Sequence, residues 1–586
     1  MEAKAALPGG GFLIARTSPE AVFTPEDLGE EHRMVRRTAA EFFQREVLPR
    51  AEEIERQNWE VTRALLRRLG ELGFLGVGIP EAYGGSGLDQ IASLVIAEEI
   101  CVGSFPVTFG GHVGIGMLPI AFFGTEEQKR RYLPAMVRGE KIGAYALTEP
   151  TAGSDAMAIR TRAVRSPDGR YYLLTGQKQF ITNAALADVF ITYAKVDGEH
   201  FTAFIVDRDT EGLSLGEEEH KMGMKGSSTR SVFLENARVP AENLLGEVGK
   251  GYRVAFNILN LGRFKIGASC TGAAKYALQM ATRYALERRQ FGRPIAEFGL
   301  IRQKLARMAM EIYATESMVY RTGGLVEGAI GGIQAEGEVV RALEEYAIES
   351  SINKVFASEM LGRAVDELVQ IYGGYGYIED YPAARAYRDA RINRIWEGTN
   401  EINRLLIVDM LSKRAQRGRL DLLPAIQRVA DGLTSPEGFE APEEGPLSEE
   451  ATLVEGIKRA ALLSTGVAVR RYLLELEEQQ EILGGLADLA MEAFAAESAV
   501  LRAQKAFLRQ DPRAFLHATL ARAYLHLSLP RVEATARSIL AASEEGDDLR
   551  TALAGLRRLL RYTPANLVQL QREVAQAVLA AEGYPL

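Results

Sequence analysis

A carboxylate beside a candidate anion seat lies in the segment Gln370–Arg404, QIYGGYGYIEDYPAARAYRDARINRIWEGTNEINR. Glu397 directly precedes Gly398 and a helix start that Thr399 can cap. That leaves backbone N–H groups of the first turn to face an anion. A base next to a phosphate-holding helix end suits proton abstraction from a phosphate-bearing substrate. The competing reading is a solvated carboxylate in an ordinary loop, and spacing alone leaves both open. Other chemistry is sparse. Six histidines (His32, His112, His200, His220, His517, His526) and two cysteines (Cys101, Cys270) are scattered, with no H-E-x-x-H or C-x-x-C, so no metal site is expected. Gly373, Gly374 and Gly376 imitate a dinucleotide fingerprint, but their flanks read as helix and no strand precedes them.

The elements that must position Glu397 are mostly helical. After a Gly-rich lead, FTPEDLGEEHRMVRRTAAEFFQREVLP reads as one helix with Thr24 at the N-cap and Pro25 at the first helical position. Helical periodicity continues to about residue 142. The texture then changes to short β-branched and aromatic runs, YYLLTG, DVFITYAKV, FTAFIVD and STRSVFLENARV, which predict an antiparallel β domain over 143–250. Helix returns over 251–412. The run 412–419 and the Pro/Gly/Glu-rich 436–450 predict a linker over 413–450, and 451–586 reads as a separate helical domain.

At 586 residues the chain exceeds what one core sustains, so about two to four domains are expected. With 47% hydrophobic and 25% charged residues it is globular, and a net charge of −9 argues against a nucleic-acid binder. The N-terminus lacks a secretory h-region, no window resembles a membrane span, and two cysteines suit a reducing compartment. A soluble, cytoplasmic protein is the expectation.

Three signatures carry a family resemblance: Tyr145–Ala163 with Gly176–Ala184, Asn257–Ile295, and Gln370–Arg404. In order and type they resemble the acyl-CoA dehydrogenases, and with the intervening sequence they cover roughly residues 30 to 410. The extension beyond, with NILNLGRF and GEVGKGY, is most like the very-long-chain subgroup. The resemblance implies an α+β multidomain fold. Its parts are an N-terminal helical domain (1–142), a central antiparallel β barrel (143–250), a C-terminal four-helix bundle (251–412) and an extra helical domain (451–586). It also implies FAD, α,β-dehydrogenation of an acyl-CoA to the trans-2-enoyl-CoA in fatty-acid β-oxidation, and electron-transferring flavoprotein as acceptor.

The resemblance also assigns roles. Glu397 would be the α-proton base, with hydride transfer to flavin N5 and the Glu397 N–H helping to hold the thioester oxygen. Some relatives carry the base just before the arginine matching Arg263; here that residue is Gly262, which cannot accept a proton. Tyr145, Leu147, Thr148, Gly153, Ser154, Phe180 and Thr182 would line the flavin, with Phe180 where Trp is common. Arg288 and Phe291 would reach the neighbouring subunit's FAD. Gln370, Gly373 and Gly374 would line the adenine side of that shared site, and Thr399 and Glu401 the nucleotide of their own. Ser154, Asn260, Arg263, Trp396 and Gly398 would contact substrate, Arg263 by anion recognition or by ordering the site. A cofactor built from two chains implies a homo-oligomer, a dimer first.

Small residues Val107, Gly110 and Gly111 in the segment 104–116 would leave a long acyl channel, although packing explains such glycines equally well. The basic run Lys413, Arg414, Arg417 and Arg419 reads as a solvated linker or as a contact with anionic lipid; its shortness favours the linker. Two other functions share the motifs: an acyl-CoA oxidase using oxygen, and a non-catalytic assembly or binding protein that kept the fold. An intact Glu397 weighs against the second.

Overall fold

The computed structural model describes residues 7–330, 342, 344–435, 438–440 and 444–586. Part of the expected linker, and the first six residues, lie outside them. The first expected helix is broken in two. The Asp27 carboxylate accepts the Thr24 N–H at 2.7 Å and closes a short turn, Pro25–Asp27. The helix proper, α1 (Glu30–Phe42), starts after Gly29 and buries Val35, Ala39 and Phe42 along one stripe.

Two elements of the N-terminal domain reach the site. Helix α2 (Gln90–Glu99) is capped by Asp89, which accepts the Ala92 N–H at 2.8 Å, and is buried on nearly every side. Next comes α3 (Phe105–Phe123), whose middle, Gly111–Met117, winds as a π-helix. Contrary to the expectation from sequence, α3 is long and apolar enough to cross a membrane by composition; 72% of that window is buried inside the protein.

The β domain is a mixed sheet rather than an antiparallel one. Its strands are β1 (Gly143–Ala146), β2 (Arg162–Arg165), β3 (Tyr171–Thr182), β4 (Val189–Val196), β5 (His200–Asp207), β6 (Leu213–Glu218), β7 (Thr229–Pro240) and β8 (Leu244–Leu245). They run in the order β6-β7-β3-β2-β4-β5-β8, with β1 alongside β4. Both β1 and β2 pair with β4 in parallel, because short excursions return the chain to the same edge of β4 at successive positions. No pairing among the described residues joins β6 to β8, so the ladder runs as an open path and a closed barrel is not established.

Four long helices follow among the described residues: α4 (Gly251–Glu287), α5 (Gly299–Ile330), α6 (Ala347–Tyr372) and α7 (Asn400–Gln416), with a shorter one, Pro382–Ala390, between the last two. The expected linker is partly helical, since α7 runs on to Gln416 and a further helix spans Leu422–Thr434. The extension brings α8 (Ser448–Tyr472), α9 (Gln480–Leu508) and α10 (Ala514–Ser543). It does not stand apart as expected. Phe494 and Tyr524 share one continuous apolar core with Ile312 and Met360 of the bundle. The Ala-rich face of α9, buried at Ala487, Ala490, Ala493 and Ala496, lets helices approach closely. A buried charge pair group locks the junction: Arg502 bonds Glu26 and Glu316, each at 2.6 Å.

Candidate active site

Glu397 sits in the short loop that feeds α7. Its φ is 56° and that of Gly398 is 84°, two successive left-handed residues. For a glutamate this backbone is costly, and such strain persists only where the surroundings impose it. Here three side chains hold the loop carbonyls. Arg263 Nε donates to Glu397 O at 3.0 Å, and Lys354 Nζ donates to Gly398 O and to Asn400 Oδ1, both at 2.7 Å. Asn403 Nδ2 donates to Gly398 O at 2.8 Å and Thr399 O at 3.0 Å. Thr399 caps α7 as its type predicts, its Oγ1 accepting the Ile402 N–H at 3.3 Å.

The carboxyl group itself is left chemically available. Oε2 is enclosed with no hydrogen-bond partner, and no acceptor among the described residues takes the Glu397 N–H. Burial pushes the Glu397 carboxyl up to about 7, against the opposing pull of Arg263 and Lys354. The result is a carboxylate that can take a proton near neutral pH.

Glu397 faces a cavity of about 1400 Å³ enclosed by α2, α3, the β sheet, α4 and the 382–399 segment. Tyr145, Leu147, Thr148, Gly153, Ser154, Phe180, Thr182, Asn260, Arg263, Trp396, Gly398 and Thr399 all line it. Sequence-distant residues expected at one site are thus brought to one cavity. A bulge in β3 between Lys178 and Ile181 gives Phe180 a φ of 59° and turns its ring outward, 57% exposed. Although it lies within a strand, Phe180 is therefore not part of the sheet's core. Gly153 has open space where a side chain would stand, so its smallness leaves room rather than serving the packing. The 147–161 loop is pinned by a buried ion pair, Lys178 Nζ to Glu149 Oε1 at 2.7 Å, while Glu149 also accepts the Thr161 N–H at 3.0 Å. Burial pushes the Lys178 ammonium down to about 8. An aromatic ring on a bulge, a hydroxyl-bearing strand end and an open glycine turn suit a planar ring with a phosphate tail.

Arg263 bonds Asn260 Oδ1 at 2.9 Å as well as Glu397 O, so its guanidinium orders the base's loop and Asn260 orders the guanidinium. Tyr145 is mostly buried, its hydroxyl 3.4 Å from Ala255 O. The Trp396 Nε1 is buried without a partner.

A second group stands outside the cavity. Arg288, Phe291, Gln370, Gly373 and Gly374 are all exposed around the tip of α4 and the end of α6, with Arg288 lying 5.4 Å from the Tyr375 ring centre. Phe291 is 92% exposed, and Gly292, Gly373 and Gly374 all front open space. Glu401 is exposed on the first turn of α7.

Along α3, Gly110 and Gly114 front open space in the cavity wall, whereas a side chain at Gly111 would meet Asn183 Nδ2 at 3.1 Å. Packing therefore accounts for Gly111 but not for Gly110. Sequence reasoning missed Lys354, Asn403, Lys178 with Glu149, and Gly114; single polar residues within helical or strand texture give no local signal.

Comparison with known proteins agrees with this geometry. Family models described as the acyl-CoA dehydrogenase N-terminal, middle and C-terminal domains match residues 29–140, 144–237 and 249–412, and a further acyl-CoA dehydrogenase C-terminal domain model matches 456–558. The chain is 48% identical over 585 residues to a probable acyl-CoA dehydrogenase of Bacillus subtilis, covering 98% of each. It is 37% identical to the human mitochondrial very long-chain specific acyl-CoA dehydrogenase over 76% of this chain and 65% of that one. A crystal structure of an acyl-CoA dehydrogenase complexed with FAD from Bacillus anthracis superposes with a TM-score of 0.97 at 47% identity, covering 99% of this chain and all of that one.

Proposed function

The chain belongs to the acyl-CoA dehydrogenase family, an FAD-dependent enzyme of that kind, and on that premise we propose that it desaturates long-chain acyl-CoA with Glu397 as the α-proton base. The observation that carries this reading is the enclosed, unpaired Glu397 Oε2 facing the cavity, on a carboxyl group whose affinity for protons is tuned to neutral pH.

Phe180 and Thr182 of β3 and Gly153 and Ser154 of the 147–161 loop would hold FAD, which would supply the acceptor for the β-hydrogen and its electron pair. The protein's own groups do the rest. The unused Glu397 N–H is placed to donate to the thioester oxygen as negative charge grows there. The proton removed from the α-carbon goes to a Glu397 oxygen. Arg263, Lys354 and Asn403 keep the loop in its left-handed form throughout, so the carboxylate needs no rearrangement to react. Apolar walls exclude water once the acyl chain enters, which holds the carboxyl group in its raised range.

Long substrates are favoured by the open space before Gly110 and Gly114 and by a face of α4 that lines the cavity from Gly262 to Met280, about 27 Å at helical rise. The exposed cluster at Arg288, Phe291, Gly373 and Gly374 supports a homodimer in which each chain completes the other's FAD site. Electron-transferring flavoprotein as acceptor, a place in fatty-acid β-oxidation and a cytoplasmic location complete the proposal on the family resemblance. Turnover across acyl chain lengths, first with electron-transferring flavoprotein and then with oxygen as acceptor, tests it. Peroxide formation without added acceptor would support the oxidase reading instead.

A further inference from the structure

One face of α4 forms a wall of the cavity: Gly262, Lys265, Ser269, Ala273, Tyr276 and Met280 follow one another at helical spacing. Gly262 touches the Glu397 carboxylate, and Lys265 stands on the next turn, about 4.5 Å further along the axis. Beyond Lys265 the helix offers the cavity Ile266, Ser269, Cys270, Ala273, Tyr276 and Met280, none of them a carboxylate.

Lys265 has no partner. No hydrogen bond, ion pair or nearby charge among the described residues meets its ammonium, and burial alone, pushing it down to about 8, acts on it. Other buried lysines among the described residues are engaged. Lys354 holds Gly398 O and Asn400, Lys178 pairs with Glu149, Lys275 with Glu98 and Glu316, Lys458 with Glu497, and Lys505 with Asp27. The side chain is half-buried in the cavity wall; holding a cation partly out of water without a counter-charge is unfavourable, and a charge that arrives with a ligand would relieve it. Neither the family's α-proton chemistry nor the FAD-lining residues use it.

We propose that Lys265 is a specificity-determining residue that receives a carboxylate carried on the acyl chain, so that the site takes the mono-CoA thioesters of dicarboxylic acids. The inference rests on the reading of this cavity as the acyl-CoA site. The thioester end is fixed at Glu397, and the second carboxylate meets the ammonium along α4, in a wall that excludes water and strengthens the contact.

The test uses the FAD-loaded enzyme, straight-chain acyl-CoA esters from hexanoyl to dodecanoyl, and the mono-CoA esters of the dicarboxylic acids of the same lengths. Calorimetric Kd and steady-state KM and kcat are measured for wild type, Lys265→Met and Lys265→Arg. Lys265→Met should lower the preference for the carboxylated ester, as the ratio of kcat/KM values at the best-fitting length, by about tenfold or more. The change should fall on KM and Kd, and Lys265→Arg should restore most of it. An unchanged ratio, or an equal loss on both substrate series, would overturn the assignment, since an equal loss would place Lys265 at the CoA portion or in the fold. If wild type turned over neither series, the reading of the active site would fail instead, and the calorimetric preference would still decide the role of Lys265.

Discussion

The carboxylate of Glu397 rests on the bare Cα of Gly262: a Cβ built at Gly262 would stand 2.8 Å from Glu397 Oε2 and 2.9 Å from its Cδ. A side chain at position 262 and the carboxylate of Glu397 therefore address the same point in space. Only one of them can hold a side chain here. Gly262→Ala is expected to push the carboxylate aside and lower kcat/KM roughly 100-fold, as misplacement of a reacting group by about an ångström does. Flavin absorbance after gel filtration should remain that of wild type, because Gly262 faces the base and not the FAD wall.

Activity should follow the ionisation of Glu397. With its carboxyl group raised to about 7, kcat/KM is expected to fall as pH drops through that value. Stability should run the other way. A carboxyl whose folded-state pKa lies above its ordinary 4.5 favours the folded state most below 4.5 and loses that contribution as pH rises toward 7. Above pH 7, Glu397→Gln should therefore be more stable than wild type in thermal melts, by about 3 kcal/mol at most. The difference should close below pH 4.5.

Lys354 offers a check on the positioning shell. Lys354→Met removes one of the two cations that hold the Glu397 carboxyl down and leaves Gly398 O and Asn400 Oδ1 without their donor. The acid limb of the pH–rate profile should move upward, and stability should fall by about 1–3 kcal/mol. A purely structural lysine would lower stability and leave the limb where it was.

Much of this was legible in the chain. Glu397, Thr399 and the β-domain segments stand out because glycines, caps and alternating runs leave local marks, and Thr399 caps α7 as its residue type predicts. What escaped notice depends on distant partners. Lys354 lies mid-helix with nothing near it in sequence to announce Gly398 and Asn400, forty-odd residues away. The parallel pairings of β1 and β2 with β4 are likewise non-local, so strand texture alone suggested an antiparallel domain. The extension reads as separate because a Pro/Gly/Glu-rich stretch precedes it; the Ala-rich face of α9 that merges it with the bundle looks from sequence like any helix interior.

Arg288 tests the two-chain FAD site. It is exposed at the tip of α4, away from the cavity, beside open ground at Gly373 and Gly374. Arg288→Ala should weaken FAD retention, measured by flavin content after gel filtration, more than it weakens thioester binding. Equal effects on both would speak against a role at the cofactor.

The most direct measurement is anaerobic reduction of the FAD-loaded Glu397→Gln variant by a long-chain acyl-CoA. The amide keeps the shape of the side chain and removes only the proton acceptor. The variant should stay yellow and bind the thioester, with flavin bleaching slowed by about 1000-fold or more relative to wild type. Bleaching at a near-normal rate would contradict the assignment of Glu397 as the base.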